Sequence, residues 1–244
     1  MTMTKEFKID LSEKFPHLSR APVVEAVIDI RARSTAWKQE TVTEQFSQRM
    51  PEFSQIGPAE EVTEGSAWTN LQFATRDGVN IAEFGRDGFA YHRLAPYERW
   101  DKFNGEGLRL WQIFMEIARP VELQRVGVRF IGRLELPPLN GEFEDYIDPA
   151  PKAPAGMELP FVGFLHHDTL AVPGYPYVVN IIRTIERPQD PTQSFAVILD
   201  IDVGTLKPIP PNMSELQHCL SELRWLKNKA FFGSVTSKAV ESYK

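Results

Sequence analysis

A single cysteine, Cys219, rules out an intramolecular disulfide, and its place in an apolar helical pattern points to a small buried side chain in a reducing compartment. Long apolar runs are missing as well. No stretch reaches the length of a membrane span, and the N-terminal MTMTKEFKID carries charges where a signal peptide needs an apolar core. A cytoplasmic chain with no membrane partner is expected. Basic charge is in deficit, with 27 Lys and Arg against 33 Asp and Glu, a net charge of -6 and a pI near 5.5. That balance argues against duplex-DNA binding, because phosphate neutralisation shows as a basic surplus or stripe, and it leaves only a local basic patch open. Reaction motifs are absent too. The glycines build neither a Walker loop nor a dinucleotide fingerprint, and neither the serines nor Cys219 carry a nucleophile elbow or a cysteine-histidine pattern. No catalytic residue and no cofactor is assigned, and enzymatic activity is not the favoured reading.

Hydrophobic residues at 42% and charged residues at 25% are enough for a folded core, and 244 residues span one large domain or two small ones. The segments read as one pattern written twice, a strand, a helix, three strands and a long helix, over residues 1–120 and 121–244. In the first copy VVEAVIDIRAR follows Pro22, with Val24, Ala26, Ile28, Ile30 and Ala32 on one face and Glu25, Asp29, Arg31 and Arg33 on the other. A polar helix is predicted over 35–50, then strands over 66–75, 79–84 and 88–94. Asp77-Gly78 and Asp87-Gly88 mark hairpins between those strands, so the meander is antiparallel. A helix after Pro96 carries Phe103, Leu110, Trp111, Phe114 and Ile117 at helical spacing, weakened by Gly105 and Gly107.

The second copy opens with LQRVGVRFIGRLEL, where Val126, Val128, Phe130, Leu134 and Leu136 share a face and Arg125, Arg129 and Arg133 line the other. Its helix shrinks to about 143–147 inside a proline-rich segment, 137–160, read as a long surface loop. Strands over 161–172, 177–186 and 195–203 follow, with Asp200 and Asp202 opposite Val197, Leu199 and Ile201. A final helix starts at Ser214 with Gln217 completing a capping box, and a short one begins at Thr236. The expected fold is α+β: a curved antiparallel sheet from two β-α-βββ-α pseudo-repeats with helices on one face, as one compact unit or two tightly packed subdomains. Its topology is similar to duplicated helix-on-sheet folds of the TATA-binding-protein type, a likeness without functional weight.

Four constellations could carry chemistry. His166 and Asp168 point to one side of an extended segment and are metal-ligand types, but a further ligand is not identifiable and no metal is assigned. Asp200 and Asp202 form a possible carboxylate pair, with neither further carboxylates nor a phosphate-binding element beside them. Tyr97, Trp100 and Trp111 could stack on a planar ligand, yet aromatics at helical spacing usually face the core. The best candidate is the face bearing Arg125, Arg129 and Arg133, whose competing role is pairing with Glu25, Asp29, Asp200 or Asp202.

Pro22-Val-Val-Glu25, Tyr97 with Trp100 and Phe103, Arg125 to Arg133, Asp200-Ile-Asp202, and Leu223-Arg224 with Lys227-Asn228, Phe231 and Thr236 occur in an order that resembles a sporadically distributed family of uncharacterised prokaryotic proteins of about this length. The likeness covers nearly the whole chain. Where that family typically has Tyr-Ile-Asn, this chain has Phe130-Ile131-Gly132. The resemblance brings no activity and no catalytic residues. A patchy distribution implies genes that travel, and with them an accessory role in a mobile or defence-related cassette. The leading expectation is a non-catalytic cytoplasmic binding or accessory protein holding a protein partner. The alternatives are a binder of a nucleotide, RNA or other anionic ligand through the arginine face, and a metal-dependent hydrolase using Asp200, Asp202 and the His166 region.

Overall fold

The computed structural model describes residues 7–63, 66–136, 143–157, 159, 163–186 and 195–244. The alternation after Pro22 becomes β1 (Val23–Ser34), in which Ala26, Ile28, Ile30 and Ala32 are fully buried and Asp29 and Arg31 keep solvent access. Val24, at the strand start, stays open, and Val27 is buried on the charged face. The same alternation makes β6 (Pro120–Leu136), longer than expected because its first residues continue pairing with the end of β1. These two strands lie antiparallel in one sheet, with Ala26 opposite Phe130 and Ile30 opposite Val126.

Around that pair the described residues form a sheet of nine strands, all pairings antiparallel. The first half adds β2 (Phe53–Thr63), β3 (Ser66–Thr75), β4 (Asn80–Gly85) and β5 (Gly88–Leu94). The second adds β7 (Leu165–Ala171), β8 (Tyr177–Glu186) and β9 (Phe195–Thr205), in the spatial order β2-β3-β4-β5-β1-β6-β9-β8-β7. Both Asp-Gly turns form. Gly78 sits at φ 70°, and Gly88 approaches β1 so closely that a Cβ there would lie 2.5 Å from the Ile30 carbonyl oxygen.

The strand β2 is a correction to the three-strand expectation. Gly57 and Pro58 interrupt its alternation, and its register with β3 shifts between Gln55 and Gly57. Proline and a bulge are tolerated at a sheet edge, where no neighbour needs the missing N–H. Among the described residues the two halves therefore differ in strand number, and a 3-10 turn, Phe143–Asp145, stands in the second where the first has a helix. The proline-rich segment is not wholly a surface loop either. Residues 137–142, 158 and 160–162 lie outside the described residues, but Phe143 and Ile147 are buried, and Ile147 bridges to Val235.

Helices α1 (Gln39–Arg49), α2 (Trp100–Ala118) and α3 (Met213–Ser234) all cover the apolar face. Phe46 stacks on Phe84, Phe84 on Phe114, and Trp100 on Phe130, which ties α1 and α2 to the strands beneath them. Leu216, Leu220, Leu223 and Leu226 bury the inner stripe of α3, with Cys219 beside them, its thiol pushed up to about 12 by burial. The cap of α3 is Asn212 rather than Ser214: its side-chain oxygen accepts from the Glu215 N–H at 2.8 Å, satisfying a donor the helix cannot. The short helix α4 (Ser237–Glu241) is capped by Thr236. Among the described residues no helix is long and apolar enough to cross a membrane.

Candidate functional site

The face of the sheet opposite the helices carries a ladder of polar side chains across its centre. Register places Glu25, Asp29, Arg125, Arg129, Asp200 and Asp202 on it together with His92 of β5, Glu83 of β4 and Asn180 of β8. Gln72 donates to Glu83 at 2.7 Å, and His92 Nδ1 lies 2.8 Å from Glu25. His92 Nε2 is buried without a hydrogen-bond partner, with Glu83 3.8 Å away.

At the centre, Arg125 is forked between two strands. Its Nη1 donates to Asp29 of β1 at 2.5 Å, and its Nη2 to both oxygens of Asp202 of β9 at 2.8 and 2.9 Å. Burial works against the guanidinium charge, but the carboxylates of Asp202 and Asp29 outweigh it and hold Arg125 above its ordinary value. The guanidinium lies over Gly127 and Gly204, opposite each other in the β6–β9 pair. Sequence reading missed this role, although an isolated glycine within a strand is a known signal of close approach.

Arg129 meets Asp200 bidentately, at 2.9 and 2.5 Å, and that hydrogen bonding raises its pKa. The pair is lopsided, with the Arg129 side chain 49% exposed and the Asp200 side chain only 11%. Arg133 pairs with Glu186 and Glu135, both well exposed. The structure thus gathers Arg125, Arg129, Arg133, Asp29, Asp200 and Asp202 into charge pairs, while Glu25 joins His92 instead. Each arginine of the stripe already faces a carboxylate.

His166 and Asp168 do share a side of β7, on the helix-covered face, but Asp168 is taken by Arg183 at 2.6 Å and His166 packs against Phe164. Among the described residues no group of three or more His, Cys, Asp or Glu could hold a metal ion. Asp200 and Asp202 are likewise each committed to an arginine.

A second site lies on the helix side. A cavity of about 530 Å³ opens between the N-terminal segment 11–23, the start of α2 and the middle of α3, floored by Phe130, Leu199 and Ile201. Lys227 reaches over the Phe130 ring at 4.2 Å, and Arg224 over Trp100 at 5.4 Å. Burial, aided by the nearby charge of Arg224, pushes Lys227 down to about 7. Tyr97, also on the wall, is pushed up by burial. Of the aromatic candidates, Trp111 is core, whereas Trp100 and Tyr97 serve both core and cavity. Sequence reading named Arg224 and Lys227 in one short block without a role; the physical signal was a misfit, since Lys227 falls four residues after Leu223 and seven after Leu220, on the stripe α3 buries.

No protein-family model matches the chain, and neither curated proteins nor solved structures contain a match to it.

Proposed function

We infer that the chain is a non-catalytic binding protein whose open sheet face holds a protein partner. The observation that carries this reading is the fork of Arg125 between Asp29 and Asp202, repeated in kind at Arg129–Asp200. Arginines that grip phosphates need free donors, whereas these are spent on carboxylates, which speaks against the nucleotide or RNA alternative. What is left is a broad face of fixed, alternating charge. A protein surface of complementary pattern meets it without rearrangement, and pre-fixed side chains lose little entropy on docking. The hydrolase alternative has no ligand set to support it among the described residues.

The finer architecture belongs to the same reading. The strand order flanks the β1–β6 pair with β5, β4 and β3 on one side and β9, β8 and β7 on the other, which supports two pseudo-repeats with β2 appended to the first. We take the chain to act in the cytoplasm as an accessory component of a mobile or defence-related cassette, so products of neighbouring genes are the partners to test. The decisive variant is Arg129→Gln with Asp200→Asn, which deletes a charge pair without stranding either charge. Co-purification with co-expressed neighbours should succeed for wild type and weaken about tenfold or more for the double variant, with thermal unfolding little changed. An undiminished complex, or RNA binding that collapses with added salt, would count against the sheet-face reading.

A further inference from the structure

The cavity between α2 and α3 is unusual in its charge. Lys227, Arg224, Arg99 and Lys14 all line it, and among the described residues none of them has a carboxylate within ion-pair distance. The two carboxylates on its wall are committed to other residues. Glu13 accepts from Trp225 Nε1 at 2.9 Å and from Lys229 at 2.6 Å, and Glu98 is bonded by Lys102. The sheet face is the opposite case, since Arg125, Arg129 and Arg133 are each paired there.

An ammonium placed against an aromatic ring in a sheltered site regains only part of the solvation it loses, so Lys227 is destabilising unless something else compensates it. Aromatic side chains make up much of the remaining lining, with Tyr97 and Trp100 around the start of α2, Phe130 on the floor, and Trp225 and Phe231 on α3. A volume of about 530 Å³ lies within the range of small-molecule sites, roughly 300 to 1,000 Å³. The exposed side chains of Ser221 and Arg224 at the rim leave a way in.

From this geometry we propose that the cavity is a binding site for a small organic anion, one carboxylate or phosphate group on a planar unsaturated body, with Lys227 and Arg224 holding the anion and the aromatic walls holding the plane. The site lies on the helix-covered side of the sheet and is independent of the partner face. Nothing in it requires a reaction. Lys227 is the positioning charge, and Arg224, anchored on Trp100, closes the rim over the bound group.

The test uses 1-naphthoate as probe and 1-naphthalenemethanol as its neutral counterpart, read through the emission of Trp100 and Trp225, which both line the cavity. Naphthoate should bind saturably at one site and at least about tenfold more tightly than the alcohol. Lys227→Met, which keeps the chain length and removes the charge, should cut that preference about fivefold or more, with Arg224 supplying what remains, while leaving the affinity for the alcohol within about threefold. Arg224→Gln, at the exposed rim, should reduce naphthoate binding in the same direction and guards against a folding defect in the first variant. Equal affinity for the two probes, no saturable binding of naphthoate, or an unchanged preference in Lys227→Met would each overturn the proposal.

Discussion

Gly127 and Gly204 face each other across the β6–β9 pair, and the guanidinium of Arg125 lies in the space that their missing side chains leave. A Cβ on either glycine would collide with it. The fork to Asp29 and Asp202 thus depends on two residues that have no side chain.

Gly127→Ala should therefore act through Arg125. Pushing the guanidinium off its seat costs about 1 to 2 kcal/mol of lost charge-assisted hydrogen bonding. Arg125→Ala should cost more, roughly 2 to 4 kcal/mol, because Asp29 and Asp202 are left facing each other without a counter-charge. The double variant should fall short of the sum by about 1 kcal/mol or more in urea unfolding. Strict additivity would show that the glycines and the arginine are independent.

The other two arginines should separate by the burial of their partners. Arg129→Ala strands Asp200, whose side chain is 11% exposed. A loss of about 1 to 2 kcal/mol is expected, recovered in part by adding Asp200→Asn. Arg133→Ala frees two exposed glutamates and should stay within about 0.5 kcal/mol. Equal losses at the two positions would mean that burial does not set the cost.

Two glycines two residues apart in α2 should respond oppositely. A Cβ at Gly105 meets nothing, so Gly105→Ala should stabilise by about 0.5 to 1 kcal/mol through helix propensity. A Cβ at Gly107 would come 2.7 Å from Ile28 Cδ1 and 3.3 Å from the Tyr91 ring, where α2 crosses the sheet. Gly107→Ala should gain nothing, and Gly107→Leu should lower the melting temperature sharply. Stabilisation by both alanines would contradict the close crossing.

Lys227 makes stability depend on pH in a definite direction. Its value in the fold is near 7 and its ordinary value 10.5, so between them the unfolded chain holds a proton that the folded chain has released. Stability should rise with pH across that window, and the penalty is fully present below about 7. Arg224 is the charge that acts on the amine, and the other polar groups lining the same cavity are Asn228 on α3, Tyr97, Glu98 and Arg99 ahead of α2, and Glu13, Lys14 and His17 in the N-terminal segment. Lys227→Met should stabilise the chain by roughly 1 to 3 kcal/mol at pH 6, and by clearly less at pH 9.5. A gain independent of pH would show that the amine is not suppressed by burial.

How much of this was legible varied with the locality of the cause. Hairpins at Asp77-Gly78 and Asp87-Gly88, the one-sided alternation of β1 and of β6 and the leucine stripe of α3 follow from spacing and turn chemistry within a dozen residues. The strand β2 did not, because its Gly57-Pro58 break hides the alternation and its stability comes from pairing with β3. The α3 cap was displaced by two residues, since Asn212 and Ser214 both suit the role and only the path of the preceding chain selects between them.

The sequence by itself determined that Arg125, Arg129 and Arg133 share one face of their strand and that Asp200 and Asp202 share one face of theirs, because strand periodicity admits no other arrangement. Tertiary structure decided that these were the same face, and which carboxylate each arginine took, because pairing partners are set by register between strands whose paired residues lie up to 96 positions apart. It also decided the fate of Lys227. Periodicity put the lysine on the buried stripe of α3, but only the meeting of α2, α3 and the N-terminal segment made a cavity there and left the ammonium without a carboxylate to neutralise it.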